Sequence, residues 1–394
     1  MRPLDGLRVL DFSRVLAGPF ATQVMAELGA EVTKVERPRG GDESRGFEPQ
    51  LPGGESAYFF ALNRGKKSVT LNLKAPRGRA IARDLAAQAD VVVENFLPGE
   101  MTRHGLDYAT LSALNPRLVY VSNTGFGQTG PYRDRPGYDT VFQALSGVMT
   151  LTGYPDGPPA KVGLPFADLT SGLWIAISAL TGLVGRAATG HGCYVDLAMM
   201  DVQTSLLTIA AARLFALDED PQRVGTEHPG RVPSAAFACR DGSMLHISGS
   251  DQHWPAVCAA LGLDDLAADP ALRLNAGRVA QRDRIMVAMR ASAASRDRAA
   301  LALALRAAGV PAGEVNSVRD ILNDEHIRAR GMVAGFDHPT AGPFPALRNP
   351  LRFQGHDDPS LGTPPVLGAD TDAVLGGLGL TADDIHALRA EGAI

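Results

Sequence analysis

The feature that most constrains the fold is the regular alternation of short apolar runs with amphipathic segments over the first 123 residues. The apolar runs have the length and composition of buried strands and lie at 6–12, 31–36, 68–73, 90–96 and 118–123. Helical patterns separate them over 18–30, 77–89 and 98–104. Because strand and helix alternate, we predict an α/β fold whose Rossmann-like, mostly parallel sheet carries helices on both faces.

The later sequence predicts a second, smaller domain. Two β-rich runs flank Arg240-Asp241-Gly242, which indicates a hairpin, and helical patterns follow near 252–261, 274–294 and 297–308. Residues 331–369 are rich in proline and glycine and read as irregular chain. We therefore predict a large Rossmann-like domain over 1–217 and 350–394, a small α+β domain over 234–330, and linkers at 218–233 and 331–349.

Charge and cysteine content narrow the class of protein. A net charge of −5 gives no electrostatic footprint for nucleic acid or an anionic membrane. Three cysteines without CxxC spacing indicate neither a disulfide framework nor a zinc site. The first strand begins too early for a cleaved leader, and the longest uncharged run, 169–185, contains hydroxyl side chains and glycines that favour a buried helix over a membrane span. We expect a cytoplasmic protein.

One carboxylate, Asp168, lies at the start of that uncharged run, before a helix over 171–188. The apolar stripe Leu173, Ile177, Leu180 and Val184 predicts that this helix belongs in a core. Two roles for Asp168 are open at this point: a cap or first-turn acid that satisfies free helix amides, or a partly desolvated nucleophile.

Cations gather where the predicted strands end, at Arg37, Arg39, Lys74 and Arg103. Ligands of doubly wound sheets bind outside the carboxyl ends of strands, so these side chains could hold separated phosphates, although solvated loop charge explains each one equally well. The first strand-to-helix turn, FSRVLAGP, lacks the GxGxxG pattern of a dinucleotide site, and no P-loop motif occurs.

Other catalytic motifs give little guidance. Tyr138 precedes an apparent helix and could be a core residue or lend its hydroxyl to a reacting carbonyl. Nine histidines are scattered without metal-ligand spacing, and no GxSxG elbow occurs, so we predict no metal site.

Taken together, the ordered segments LDFSRVLAGP, GAEVTKVERP, NRGKKSVTLNLK, ADVVVENFLPG, YVSNTGFGQTGP, RPGYD and LPFADLTSG resemble the class III CoA-transferases, the family of formyl-CoA and carnitine CoA-transferase. The resemblance extends through nearly the whole chain, to PPVLGADTDAVL. It implies that Asp168 is the nucleophile and that Tyr138 is an active-site tyrosine. It also implies coenzyme A (CoA) contacts at Val15, Leu16, Ala17, Arg37, Leu71, Asn72, Leu73, Lys74, Asn95, Phe96 and Arg103.

The same resemblance implies an interlocked homodimer in which the small domain of one chain completes the active site of the other. The loop GTEHPGRVPSAAF replaces the polyglycine loop of formyl-CoA transferase and looks more like family members that act on dicarboxylic acids, so formyl transfer to oxalate is disfavoured. His228 and Arg231 in this loop are candidates for the acceptor's second carboxylate, although a solvent-exposed linker is at least as good an interpretation.

The expected reaction moves CoA from an acyl-CoA such as succinyl-CoA to a carboxylic acid, through an ionised Asp168 and covalent aspartyl-CoA. Amides at the helix start and in loops are expected to stabilise oxyanions. Acyl-CoA is then a substrate, and no permanently bound cofactor is expected. An acyl-CoA racemase, disfavoured because tyrosine stands where those relatives carry histidine, and a noncatalytic CoA-binding module are the alternatives.

Overall fold

Thirteen strands and nineteen helices run along residues 1–394, all of which the computed structural model describes. The strands are β1 Arg8–Asp11, β2 Glu31–Glu36, β3 Gln50–Leu51, β4 Glu55–Ser56, β5 Lys67–Thr70, β6 Val91–Glu94, β7 Val119–Thr124, β8 Cys193–Ala198, β9 Ser234–Ala238, β10 Met244–Ser248, β11 Ala312–Glu314, β12 Val333–His338 and β13 Gly342–Leu347. The helices are α1 Ala17–Glu27, α2 Ala57–Leu62, α3 Pro76–Ala87, α4 Glu100–His104, α5 Tyr108–Leu114, α6 Asp139–Leu145, α7 Val148–Leu151, α8 Phe166–Thr189, α9 Met199–Ser205, α10 Thr208–Leu217, α11 Trp254–Leu261, α12 Asp264–Ala268, α13 Asn275–Ala280, α14 Arg282–Ala294, α15 Arg298–Ala307, α16 Val318–Asn323, α17 Glu325–Ala329, α18 Thr371–Gly377 and α19 Ala382–Ala390.

The chain divides into two units. The first contains Met1–Val148, Lys161–Ala212 and Glu325–Ile394, and the second contains Met149–Ala160 and Arg213–Asp324. The predicted linker 218–233 forms neither helix nor strand. Its role between domains, and the domain boundaries themselves, stay predictions.

The first unit is built on one six-stranded sheet in the order β5-β2-β1-β6-β7-β8. Every pairing in it is parallel, with β1 between β2 and β6. The predicted α/β sheet is therefore confirmed, and it is wholly rather than mostly parallel. The order reverses at β1 and β6, which opens a crevice at their carboxyl ends.

Both faces of this sheet are covered, as the near-continuous apolar strands require. On one face, valines of β1, β2, β6 and β7 pack against α1 and α8. On the other, residues of α3, α4, α5, α18 and α19 pack against Leu10, Val69, Val92 and Tyr120.

The face of helix α8 that packs against the sheet is not the face that its apolar stripe predicts. Its buried side is mainly small residues, including Gly172, Ala176, Ala179 and Gly182. A Cβ at Gly182 would lie 2.6 Å from Val119 Cγ1, so glycine is what allows the helix to approach β7. The predicted core residues Leu173, Ile177 and Val184 are instead 49–73% exposed, and Trp174 is 40% exposed.

Helix α8 is also long and apolar enough to cross a membrane, and α9 with α10 pass the same test as a pair bent by 62°. The small-residue face of α8 is nevertheless packed on α1 and β7. Core helices of α/β proteins share this composition.

The second unit contains an antiparallel three-stranded sheet in the order β11-β10-β9. The hairpin expected around Arg240-Asp241-Gly242 joins β9 to β10, and the hydrophobic core includes Trp254 and Phe237. The single helix predicted over 274–294 is two helices, α13 and α14, because Gln281 leaves the helical conformation at φ −113° and ψ 27°.

Residues 331–349 form an antiparallel hairpin of β12 and β13, so the expectation of irregular chain was wrong there. Phe336 and Phe344 pack against Phe60 of α2 at ring distances of 5.7 and 5.5 Å. Pro343 and Pro345 obscured the strand in the sequence, but a two-stranded sheet consists only of edges, where proline is tolerated.

Candidate active site

A cavity of about 900 Å³ lies at the carboxyl ends of β1, β2, β5 and β6, where the sheet order reverses. It gathers six of the residues expected to contact CoA: Arg37, Leu71, Asn72, Leu73, Lys74 and Phe96. Arg39 lines it as well. The predicted cations at the strand ends therefore line one cavity, except for Arg103.

Arg103 and the first strand-to-helix turn lie outside this lining. Arg103 is exposed on α4, whose Glu100 and His104 line the cavity instead. In the turn, the side chains of Leu16 and Ala17 are buried, and residues 12–14 supply the lining. Asn95 does not line the cavity, but it hydrogen-bonds the backbone of Arg14, which does.

A buried carboxylate holds the strained turn after β1. Val15 has φ +69°, a left-handed conformation that β-branched residues rarely adopt, and both Asp42 carboxylate oxygens accept from its N–H at 3.2 Å. Burial disfavours the charge of Asp42, but Lys34 Nζ at 2.8 Å and the Ser44 N–H bring its pKa well below the usual range. Asp42 therefore remains an acceptor throughout the neutral pH range.

Asp168 is the third residue of α8 and does not cap it. The capping carboxylate is Asp139, whose Oδ1 accepts from the N–H groups of Ala167 at 2.7 Å and Asp168 at 3.2 Å. Gln143 Nε2 donates to the other Asp139 oxygen at 2.6 Å. The Asp168 carboxylate is partly exposed and has no hydrogen-bond or ion-pair partner, so Asp168 is an acid in the first turn of α8 that does not cap it, and its role as nucleophile stays a prediction.

The surroundings of Asp168 favour its neutral form. Burial, followed by the neighbouring Asp139 charge, raises the pKa of Asp168 to about 7. With this pKa, Asp168 is about half ionised at pH 7, so the expectation of an ionised Asp168 at neutral pH holds only in part. The sequence argument credited the helix start with offsetting burial, but Asp139 already occupies two of its amides and adds a like charge.

The same arrangement corrects the expected source of oxyanion stabilisation. The N–H groups of Phe166 and Leu169 donate to Leu164 and Pro165 carbonyls, and those of Ala167 and Asp168 donate to Asp139. No amide in the first turn of α8 is left for a substrate oxyanion, so the donors must come from other groups.

Helix α8 places Asp168 beside the turn that follows β1. One turn after Asp168, a Cβ at Gly172 would lie only 2.7 Å from the Ala17 carbonyl oxygen, so the two backbones are in close contact. Ala17 begins α1, directly after the strained Val15. Asp168 itself does not line the cavity, and neither does the Val15–Ala17 turn, although residues 12–14 just before that turn do.

Two tyrosines flank this end of the site. Tyr138 immediately precedes α6 and is 80% exposed, with its hydroxyl unengaged. Tyr58 of α2 is half-buried, and burial together with the carboxylates Asp168, Asp42 and Asp139 raises its pKa to about 12. Tyr58 therefore carries its proton throughout the neutral range.

Sequence reasoning missed Tyr58, Asp42 and Asp139 as functional residues. Asp139 follows Tyr138 at a predicted helix start. An acid at the start of a helix was the one sequence pattern that could have pointed to a capping role for it. Tyr58 lies in AYFFAL, which reads as core. His228 and Arg231 belong to the second unit, where His228 Nδ1 accepts from the Gly230 N–H and Arg231 is exposed, so their substrate role stays a prediction.

Comparison with known proteins shows the family to which this chain belongs. The model of CoA-transferase family III matches residues 4–371. The chain is 38% identical to succinyl-CoA:glutarate CoA-transferase of Mus musculus, over 95% of this chain and 86% of that protein. It is 38% identical to acetyl-CoA:oxalate CoA-transferase of Acetobacter aceti, over 91% of this chain and 90% of that protein.

A solved structure is similar over the same extent. The crystal structure of a CAIB/BAIF family protein from Brucella suis matches with a TM-score of 0.85 and 39% identity, over 96% of this chain and 99% of that one. The chain belongs to CoA-transferase family III, as its sequence motifs predicted, and its named relatives act on dicarboxylic acids.

The Asp139 charge gives a testable pH dependence. In Asp139→Asn the charge that helps raise the pKa of Asp168 is gone, so the rise of kcat/KM with pH should move to lower pH. At pH 6 the variant should keep roughly threefold more of its maximal rate than wild type does. Asp134→Asn, at an exposed acid five residues earlier, is the control, and an unmoved profile in Asp139→Asn would contradict this account.

Proposed function

We propose that this chain transfers CoA from an acyl-CoA, such as succinyl-CoA, to a dicarboxylic acid through covalent intermediates on Asp168. The observations that carry the proposal are the unpartnered, partly exposed Asp168 carboxylate at the start of α8 and, in the same unit of the chain, a cation-lined cavity of about 900 Å³. A structural acid would be hydrogen-bonded, as Asp139 is.

In the first half-reaction an ionised Asp168 oxygen attacks the acyl carbonyl carbon, the C–S bond breaks, and CoA leaves as its thiolate. The product is a mixed anhydride of Asp168 and the donor acid. The thiolate then attacks the Asp168 carbonyl, so the donor acid departs as a carboxylate and an aspartyl-CoA thioester remains. Holding the thiolate close and excluding water are the main tasks of the protein in these steps.

In the second half-reaction the acceptor carboxylate attacks the aspartyl thioester and releases the thiolate again. The thiolate attacks the acceptor's acyl carbon in the new anhydride, which forms the product acyl-CoA and restores the Asp168 carboxylate. Because the pKa of Asp168 is about 7, its ionised fraction in the free enzyme rises through neutral pH, and kcat/KM should rise with it.

The acceptor class follows from the relatives named above. Glutarate and oxalate both carry two carboxylates, so a group that binds the second carboxylate is needed, and our candidates are the Arg231 guanidinium and His228 as a hydrogen-bond donor. Formyl-CoA remains a disfavoured donor. A cytoplasmic location, with acyl-CoA acting as substrate and no permanent cofactor, completes the proposal.

A homodimer is supported by the apolar surface that each chain leaves uncovered. Leu173, Trp174, Ile177 and Val184 form an exposed apolar face of α8, and contiguous apolar patches on a surface often mark interaction sites. Helix α10 also exposes Ile209 and Phe215 at 82% and 85%. We propose that a second copy covers these faces, with 218–233 and 331–349 as the linkers between a large domain of 1–217 and 350–394 and a small domain of 234–330.

The experiment is a transfer assay with succinyl-CoA as donor and a panel of mono- and dicarboxylic acids. We expect a new acyl-CoA and free succinate in equal amounts, at a rate at least about tenfold higher for the best dicarboxylate than for any monocarboxylate. A racemase would instead exchange the substrate α-proton for deuterium without an acceptor, and a binding module would do neither. Either result would contradict the proposal.

A further inference from the structure

Arg14 lines the cavity, although neither its position in the sequence nor the family resemblance singled it out. It follows β1, and it contacts residues that follow β2 and β6. No other side chain joins the loops after these three strands in this way. These strands meet at the point where the sheet order reverses, which is where a ligand of such a sheet lies.

The backbone of Arg14 is fixed. Its N–H donates to Asn95 Oδ1 at 2.9 Å, and Asn95 Nδ2 donates back to the Arg14 carbonyl oxygen at 2.9 Å. This reciprocal pair joins the loops on both sides of the crevice. Asn95 therefore acts through Arg14, although it does not itself line the cavity.

The side chain of Arg14 is oriented but not strongly paired. Its guanidinium lies over the Phe96 ring, 4.5 Å from the centroid, and Nη1 is 3.3 Å from Glu43 Oε1. The Arg14 and Glu43 side chains are 34% and 49% exposed. A long, single contact between exposed charges contributes little and exchanges readily for a better acceptor.

A phosphate is that better acceptor. A guanidinium can bind two phosphate oxygens at once, and stacking on Phe96 holds its plane in place for such a contact. Arg37, Arg39 and Lys74 line the same cavity without an acidic partner, so an anion entering it meets these three cations in addition to Arg14. The other lining lysine, Lys34, is buried and already paired with Asp42.

We propose that Arg14 is a phosphate-binding residue of this cavity, which exchanges Glu43 for a phosphate of the CoA nucleotide when CoA enters. Glu43 then acts as an internal competitor that limits CoA affinity and occupies Arg14 when the cavity is empty. The inference rests on the proposed function, since that function supplies CoA as the ligand.

The test measures CoA binding to the full chain by calorimetry in a double-mutant cycle. Arg14→Gln should weaken binding about tenfold, because a charge-assisted contact is lost. Glu43→Gln should tighten it about threefold, because the competing carboxylate is gone. In the double variant the tightening should vanish, since Glu43 acts only through Arg14.

Two ligands locate the phosphate. If Arg14 binds the 3′-phosphate, wild type and Arg14→Gln should bind dephospho-CoA with equal affinity, because this ligand lacks that phosphate. If Arg14 binds the diphosphate, Arg14→Gln should bind dephospho-CoA more weakly than wild type does, as it binds CoA. Pantetheine lacks the nucleotide, so wild type and Arg14→Gln should bind it equally in both cases. Arg8→Gln, at the opposite end of β1, is the matched control and should bind CoA as wild type does.

The inference is overturned if Arg14→Gln binds CoA with wild-type affinity, or if Glu43→Gln tightens binding equally without Arg14. Unfolding temperatures of all variants identify any loss of CoA affinity that comes from misfolding. In that case the test depends on the double variant, which should bind CoA no more tightly than Arg14→Gln does. A wild-type chain that does not bind CoA would overturn the proposed function itself, which is a distinguishable outcome.

Discussion

Asp168→Asn should lower the transfer rate by about 10⁴-fold or more, the scale expected when a covalent nucleophile is removed. Asparagine has nearly the same size and keeps the side chain in the same place, but its amide cannot form the anhydride or the thioester. The loss should therefore appear in kcat, with the affinity for CoA little changed. Steady-state kinetics of transfer from succinyl-CoA measure it.

The same substitution should stabilise the protein at neutral and alkaline pH. In the folded state the pKa of Asp168 is raised from 3.8 to about 7, so the ionised group costs stability as pH rises from the unfolded to the folded pKa. Asparagine removes this cost. Between pH 5 and pH 8 the difference in unfolding free energy between variant and wild type should grow by about 2 kcal/mol.

A matched control separates these effects from general loss of charge. Asp265→Asn replaces an exposed acid in the first turn of α12, in the second unit, and should leave the rate unchanged and lower stability by no more than about 1 kcal/mol through the lost helix-dipole contact. An Asp168→Asn variant that keeps more than about a tenth of wild-type kcat would rule out the nucleophile. Loss of both activity and stability would point to a structural role instead.

The second large effect is expected from charges placed on the exposed face of α8. A double variant, Ile177→Asp with Val184→Asp, should weaken a dimer by about 10³-fold or more, because each aspartate would be buried without a partner. If the site is shared between two chains, activity should fall in parallel with the dimer. Light scattering coupled to size exclusion should give twice the 41.5 kDa chain mass for wild type and the single-chain mass for the variant.

The control for this experiment keeps the face apolar. Ile177→Leu with Val184→Ile should leave both mass and rate unchanged, since volume and hydrophobicity are nearly conserved. A wild-type chain that is monomeric at micromolar concentration and fully active would contradict the proposed dimer.

The sheet was predictable because each strand carries its own signal. β2 begins and ends where EVTKVE does, and the apolar runs around it map onto β1, β5, β6 and β7. Parallel strands buried on both faces must be apolar along their length, so the pattern survives without any knowledge of their neighbours. The hairpin of β12 and β13 was missed because prolines at an edge look like irregular chain.

The environment of Asp168 was less predictable because it depends on residues distant in sequence. Asp139 lies 29 positions before Asp168, yet it supplies the cap and raises the pKa of Asp168. The buried face of α8 was mistaken for the same reason. Periodicity identifies an apolar stripe, but it does not say whether small residues will pack against the sheet and leave that stripe for another surface.

The most direct test of the central claim is to trap the activated carbonyl of Asp168 with hydroxylamine. Wild-type protein is mixed with succinyl-CoA and hydroxylamine without an acceptor, digested, and analysed by mass spectrometry. We predict a hydroxamate on Asp168 alone, formed in parallel with the loss of transfer activity, and none in Asp168→Asn. Transfer that proceeds with no hydroxamate on any residue, or with one elsewhere than Asp168, would contradict the account.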